Sequence, residues 1–184
     1  MAMLARCTGS LVLMTLMSAC LDNKLEDDVS TPTTFIAQQE DFADYKTWMT
    51  FDKDVADDHG GIVGTTTEYL NKLPDPGASE FDIGTMLVKI QQATDSDAMS
   101  VHAMSKRSPS YNVDGARGWE FFELTLDKTG APYIVWRGAK PPSGEMYQML
   151  FSGSTQPANE GNCNDCHASG KDGMLSPDIA DLLK

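Results

Sequence analysis

The chain has 184 residues, and its 27 acidic against 14 basic residues give it a formal net charge of −13 at pH 7. This balance argues against partners that carry phosphate backbones, hence no nucleic acid, and against electrostatic attraction to anionic lipid. A solvated acidic surface explains the charge, and docking with a basic partner is the more specific alternative. The length allows one domain with one core.

The first nineteen residues have the pattern of a signal peptide. Arg6 precedes a mostly apolar run, Leu11 to Met17, which is too short to span a bilayer as a helix. Small residues, Ser18 and Ala19, then stand directly before Cys20, as in a bacterial lipobox. This predicts cleavage before Cys20 and lipid on its sulfur. The alternative is an ordinary signal peptide that is cut nearby.

The lipobox also predicts where the protein resides. Leu21, and not Asp, follows Cys20, so we expect a periplasmic protein that is anchored by its lipid to the bacterial outer membrane. Residues 20–34 are polar and acidic, and we predict a lipidated flexible tether there. Residues 35–184 then form the folded domain.

The periodicity of that domain predicts a helix, a meander of strands and a C-terminal loop. Aromatic residues recur at spacings of three and four from Phe35 to about Ala56, which predicts an N-terminal helix. Alternating segments then predict five strands at Ile62–Leu70, Gly84–Gln91, Met99–Lys106, Trp119–Leu126 and Pro132–Trp136. A hairpin turn is predicted at Asp127–Gly130, and short helices at Gly144–Phe151 and Ser176–Leu183. The fold class is α+β with an antiparallel, sheet-rich body.

The most specific motif is C-x-x-C-H at Cys163, Cys166 and His167. It is the attachment signature for c-type haem. Two thiols at this spacing add to the two vinyl groups of one haem, and the adjacent imidazole becomes the proximal ligand of the iron. The motif therefore predicts one covalently attached haem c, with Cys163 and Cys166 as attachment residues and His167 as the metal ligand.

The cysteine pair has three other interpretations besides haem attachment. A thioredoxin-like C-x-x-C belongs early in a βαβ unit, whereas this pair lies in a polar loop, residues 156–171. A structural zinc site needs four ligands, and the chain has no second cysteine pair. A structural disulfide is the third reading. If the lipobox is processed, Cys7 is removed with the signal peptide and Cys20 is acylated, which leaves only the haem pair. Export also suits haem attachment outside the inner membrane.

Several segments, in this order, resemble the cytochrome P-460 family, which includes the cytochromes c′-β. They are Phe81-Asp82-Ile83-Gly84-Thr85-Met86-Leu87-Val88-Lys89, Met104-Ser105-Lys106-Arg107, Gly118-Trp119-Glu120-Phe121-Phe122, Val135-Trp136-Arg137-Gly138 with Pro141-Pro142-Ser143-Gly144, and the C-terminal C-x-x-C-H. The resemblance covers about residues 59–175. It implies a sheet-rich α+β domain, often dimeric, with one c-type haem on a flank of the sheet and an iron that is open on its distal side.

The resemblance also implies the chemistry. In the cytochromes P-460 proper a lysine is cross-linked to the porphyrin, and the protein oxidises hydroxylamine. The c′-β relatives lack the cross-link and bind nitric oxide or carbon monoxide. Lys89 matches the cross-linking lysine by its place at the end of the G-T-x-x-V-K strand. Strand alternation is equally satisfied by a Lys89 that faces solvent, and Ile90 stands where relatives often have an acid.

Other residues are candidates for the surroundings of the haem. Arg137 is a candidate partner of a propionate, or a surface residue. His102 and Met104 share one strand face, and either could be a sixth iron ligand, or a packing residue. Glu120 and Glu123 lie on opposite faces of their strand, so at most one faces the haem. Aromatic residues expected in the core or at the haem are Trp119, Phe121, Phe122 and Trp136.

Three functions remain open at this point. The first is a P-460-like oxidoreductase that acts on hydroxylamine or a related nitrogen compound and passes electrons to a redox partner protein. The second is a nitric oxide or carbon monoxide binding protein of the c′-β kind. The third is an electron-transfer cytochrome without catalysis. A homodimer is the assembly that the resemblance favours.

Overall fold

A computed structural model describes residues 33–53, 64–94, 97, 99–143 and 163–184. Its centre is a six-stranded antiparallel sheet whose strands follow each other in sequence order. The strands are β1 Met49–Lys53, β2 Gly64–Leu70, β3 Met86–Ala93, β4 Met99–Lys106, β5 Trp119–Leu126 and β6 Pro132–Gly138. The antiparallel, sheet-rich fold expected from the sequence is confirmed.

The five predicted strands correspond to β2 to β6. The predicted bounds of β4 and β5 are the observed ones, and those of β3 and β6 differ by about two residues. The predicted first two residues of β2, 62 and 63, lie outside the described residues. The turn between β5 and β6 is closed by Asp127, whose carboxylate accepts hydrogen bonds from the backbone N–H groups of Thr129 (2.7 Å) and Ala131 (2.9 Å). Gly130 adopts a φ of 81° in this turn, a conformation that favours glycine.

The predicted N-terminal helix is wrong. Between residues 35 and 53 the chain forms two 3₁₀ turns, Gln39–Phe42 and Tyr45–Thr47, and then β1, which pairs with β2. The aromatic spacing that suggested a helix is explained by these turns, because they bury Phe42 and Tyr45 against the sheet. The α-helices in the described residues are two short ones, α1 Cys163–His167 and α2 Pro177–Ala180. The second confirms the helix expected from Ser176, although it is shorter.

Both faces of the sheet are covered, each by one end of the chain. Residues 163–184 pack on what we call the C-terminal face, where strand residues such as Leu70, Leu87, Met104 and Phe121 join them in one apolar cluster. Residues 35–48 pack on the other, which we call the N-terminal face, where Val88, Val101, Ala103, Phe122 and Leu124 are buried. Burial on both sides explains why β4 and β5 are almost continuously buried.

The pairing of β5 with β6 shifts by one residue, as in a β-bulge. Leu124 pairs with Ile134, whereas Glu123 pairs with Trp136, so Val135 has no partner residue on β5. The extra residue reverses the alternation of β6 beyond it. Trp136 therefore lies on the C-terminal face, and the next residue, Arg137, lies on the N-terminal face.

Several predicted features lie outside the described residues. These are the signal peptide, Cys7, Cys20, the tether as far as residue 32, the helix Gly144–Phe151 and the first part of the haem loop. In the described part of the chain, no helix combines the length and the apolar character needed to cross a membrane.

Candidate functional site

The C-x-x-C-H residues form the short helix α1 on the C-terminal face. Its two cysteines are free thiols, one buried (Cys163) and one exposed (Cys166). Burial raises the pKa of the Cys163 thiol to about 12. A redox-active C-x-x-C pair needs a cysteine with a lowered pKa, because the thiolate is the nucleophile. The environment of Cys163 raises the pKa of its thiol, so it does not favour the thioredoxin-like interpretation.

The ring of His167 is oriented by the backbone that follows the motif. Its Nδ1 lies 2.6 Å from the carbonyl oxygen of Gly173. A carbonyl only accepts hydrogen bonds, so Nδ1 carries the proton and the lone pair of the neutral ring is on Nε2. Burial lowers the pKa of His167, which favours that neutral form. The ring also packs on Phe121, with 5.1 Å between the ring centroids.

Asn164, the first residue between the two cysteines, anchors the start of α1. It exchanges side-chain hydrogen bonds with Asn112, at 2.7 Å and 2.9 Å, and its Oδ1 accepts from the backbone N–H of Ala116 at 3.0 Å. These contacts tie the motif to the loop between β4 and β5. A Cβ at Gly115 would lie 2.3 Å from this amide, so the loop fits closely around it.

We expect Asn164→Ala to lower the free energy of unfolding by about 2 kcal/mol, because it leaves the Asn112 side-chain oxygen without its donor and the Ala116 N–H without its acceptor. Urea unfolding followed by far-UV circular dichroism measures the change. Asp178→Ala, at an exposed position in α2, is the control and is expected to change stability by less than about 0.5 kcal/mol. Equal effects of the two substitutions would contradict an anchoring role for Asn164.

A row of four ionisable side chains crosses the C-terminal face. Glu68, Lys89, His102 and Glu123 are directly opposite one another on β2, β3, β4 and β5. Glu68, His102 and Glu123 are each less than a tenth exposed. The imidazole Nε2 of His102 lies 3.2 Å from a carboxylate oxygen of Glu123. We call these four residues the polar row.

The polar row lies close enough to α1 to act on it electrostatically. The charges of Lys89, Glu68 and His102 all influence the pKa of His167, after the larger effects of burial and of the Gly173 carbonyl. The charge of Glu123 contributes in the same way to the raised pKa of Cys163, after burial. Buried ionisable groups destabilise a fold unless they are paired, so a whole row of them beside one motif marks a candidate site.

The sequence-predicted residues divide between the two faces. Lys89, His102 and Met104 lie on the C-terminal face, with the motif. Glu123 is the one of the two candidate glutamates on that face. Arg137 is not brought to the motif. Its guanidinium lies on the N-terminal face, where it donates to Glu120 and to the backbone oxygen of Ala37, so the expectation that it meets a propionate is not supported.

Of the predicted aromatic residues, three line the C-terminal face and one the other. Trp119, Phe121 and Trp136 belong to the cluster that includes Cys163, whereas Phe122 is buried on the N-terminal face. Residues missed at the sequence level are Glu68, Asn112 and Asp172. Alternation in β2 places Glu68 on the face of Leu70, but only the strand register sets it opposite Lys89. The Asp172-Gly173 dipeptide is a turn signal that could have been noticed.

The arrangement fits the donor set of a c-type haem. It offers two free thiols in one helical turn and a neutral imidazole whose Nε2 lone pair is available to iron. Within residues 33–53, 64–94, 97, 99–143 and 163–184, no group of three or more His, Cys, Asp and Glu side chains is arranged to hold a metal ion by itself.

The chain was compared with family models, with curated proteins and with solved structures. No match was found in any of the three comparisons.

Proposed function

We propose that the chain is an exported mono-haem c-type cytochrome of the P-460 kind, which oxidises hydroxylamine or a related small nitrogen compound at an open haem iron. The observation that carries the proposal is the polar row, which lies across the same sheet face as the C-x-x-C-H helix and includes Lys89. A haem that serves only to carry electrons does not require ionisable side chains beside it.

The motif residues would hold the cofactor. Cys163 and Cys166 would form the two thioether bonds, and Nε2 of His167 would bind iron while its Nδ1–H donates to the carbonyl of Gly173. The haem, when bound, supplies an iron centre that binds a small molecule and accepts its electrons. An acidic surface suits the transfer of those electrons to a basic redox partner protein.

Lys89 is the residue in the polar row that best fits the resemblance. It stands on a central strand between Glu68 and His102, on the face that His167 occupies. Its charge reaches His167, as the influence on the pKa of that imidazole indicates. A lysine that pointed to solvent from a sheet edge would neither stand between two other members of the polar row nor influence the pKa of His167. This supports the cross-linking role that the resemblance implies.

Glu123 and His102 are suited to handle protons. Oxidation of hydroxylamine releases protons together with electrons, so a base within reach of the substrate assists the reaction. The 3.2 Å contact between His102 Nε2 and Glu123 places an imidazole and a carboxylate side by side. The pair can take up a proton at one group and stabilise the resulting charge at the other.

Electron transfer without catalysis is the second candidate function. His102 and Met104 both lie on the C-terminal face, and a side chain of either kind can close the sixth position of a haem iron. Nitric oxide or carbon monoxide binding without turnover, as in the c′-β relatives, is the third. It requires the open iron but not the Lys89 cross-link.

Optical spectra of the purified holoprotein, ferric and then dithionite-reduced, test these functions for wild type and Lys89→Arg. We expect a broad, red-shifted ferrous Soret band in the wild type that becomes an ordinary c-type spectrum in the variant, because arginine keeps the charge but not the amine. Lys72→Arg is the matched control; its ammonium donates to the carbonyl of Ile83, and its spectrum should not change. The wild type should also oxidise hydroxylamine with an artificial electron acceptor.

The other outcomes separate the candidates. A five-coordinate spectrum that Lys89→Arg leaves unchanged would refute the cross-link and favour gas binding, which carbon monoxide and nitric oxide titrations then measure. A six-coordinate low-spin spectrum would favour electron transfer. A protein that carries no haem after expression with the c-type maturation machinery would refute the proposed function altogether.

A further inference from the structure

The Gly173 carbonyl that meets His167 belongs to a turn that the rest of the fold holds in place. The chain reverses direction after α1, and Lys171 pairs with Met174 across the turn. Asp172 and Gly173, at its tip, have φ values of 46° and 77°. Few non-glycine residues adopt this conformation, and Asp is one of those that tolerate it.

The side chain of Asp172 is almost completely buried and makes two ionic or polar contacts. One carboxylate oxygen accepts the ammonium of Lys106, a β4 residue whose own side chain is buried. The other accepts the backbone N–H of Phe81 at 2.7 Å. A third contact uses the main chain, because the indole N–H of Trp119 donates to the carbonyl oxygen of Asp172 at 2.7 Å.

Gly173 is in turn pressed against Trp119. A Cβ atom at position 173 would lie 2.8 Å from Cδ1 of the indole, closer than real Cβ contacts come. The ammonium of Lys106 lies 5.2 Å from the centroid of the same indole and donates to the carbonyl of Arg117 at 3.2 Å. The turn is therefore fixed on both sides of the carbonyl that His167 uses.

We infer that Asp172 and Lys106 are positioning residues that set the strength of His167 as an iron ligand. A hydrogen bond from Nδ1–H to a fixed carbonyl makes the imidazole a stronger donor to the metal and fixes its orientation. The ion pair reaches His167 only through the Gly173 backbone, so it acts on the ligand and not on a substrate. The inference rests on the proposed function, since it requires a haem on His167.

A buried ion pair is an expensive way to stabilise a turn, and apolar residues often serve as well. Unlike apolar residues, an ion pair makes contacts that have a defined direction. Four polar contacts, from Lys106, Phe81 and Trp119 to Asp172 and from His167 to Gly173, converge on two consecutive residues. That arrangement suits a carbonyl whose position matters to a neighbouring ligand.

The test uses the full-length holoprotein, as wild type, as Asp172→Asn and as the control Asp178→Asn, an exposed acid in α2. Asparagine keeps the shape of the side chain but loses the ionic contact with Lys106. We expect Asp172→Asn to keep its covalent haem but to lower the iron–histidine stretching frequency of the ferrous protein in the resonance Raman spectrum. At a fixed potential, the ratio of ferrous to ferric protein should rise about tenfold, because a weaker histidine donor stabilises ferric iron less. The midpoint potential should therefore be higher by about 59 mV for a one-electron couple.

The outcomes distinguish this inference from the proposed function. A wild type without haem would refute the proposed function, and the inference with it. A haem-loaded, folded Asp172→Asn whose stretching frequency and potential equal those of the control would overturn the inference alone. If Asp172→Asn does not fold, the stretching frequency and the potential are measured in Lys106→Arg instead. This variant keeps the charge but changes the geometry of the donor. A shift in that variant supports the inference and no shift overturns it.

Discussion

The Cys163→Ser/Cys166→Ser double variant is expected to carry no covalently bound haem, whereas we expect the wild type to carry one per chain. Serine oxygen does not add to the haem vinyl groups as a thiol does, and these two sulfurs stand in one helical turn beside His167. The measurement is haem staining after denaturing electrophoresis, with the pyridine haemochrome spectrum for stoichiometry, after export in cells that express the maturation machinery.

A matched control comes from the remaining cysteines. Cys7→Ser lies in the expected signal peptide and should leave the haem signal of the wild type unchanged. The sheet of the double variant should persist in far-UV circular dichroism, since Cys163 is one of twelve buried members of its apolar cluster and Cys166 is exposed. Full haem staining of the double variant would exclude C-x-x-C-H as the attachment site.

Glu120→Gln is expected to lower the free energy of unfolding by about 3 kcal/mol, the largest effect on stability that we predict for a single charge. Glu120 is 2% exposed and accepts two hydrogen bonds from Arg137, at 2.9 Å and 2.7 Å, and one from Arg107 at 3.2 Å. Gln retains the volume but loses the charge that two guanidinium groups share. Arg137 also donates to the carbonyl of Ala37, so the damage extends to the segment that covers the N-terminal face.

Urea unfolding of the wild type and the variant measures this effect, and Glu80→Gln, an exposed acid, is the control. Because Glu120 lies on the face away from His167, the optical spectrum of the haem should not change in the Glu120 variant. A variant as stable as the control would show that the two arginines find other partners. A variant with an altered spectrum would contradict the division of the candidate residues between the two faces.

The sequence determined five of the six strands and the candidate chemistry, because both depend on local pattern. Alternation and turn residues are enough to place β4 and β5. The spacing of Cys163, Cys166 and His167 is by itself enough to predict haem attachment. Alternation also placed Lys89 on the face opposite Val88, since adjacent strand residues point to opposite sides. These inferences require no knowledge of what lies next to a strand.

The N-terminal segment shows where local pattern is ambiguous. Aromatic spacings of three and four suit an α-helix, but the same residues are buried as well by two 3₁₀ turns that lead into an edge strand. The choice was decided by the sheet, which offers β2 as a partner for Met49–Lys53. Partner availability is a tertiary property, and so the sequence alone favoured the wrong element.

Arg137 and the polar row were decided by pairing between strands. One unpaired residue, Val135, reverses the alternation of β6, and this turns Arg137 away from the motif and towards Glu120. The polar row exists because the registers of three strand pairs align Glu68, Lys89 and their partners. Likewise Asp172 meets Lys106 across 66 positions of sequence. A local pattern specifies which side of a strand a residue occupies, but register, bulges and loop closure arise from contacts between distant segments, and only the folded chain contains them.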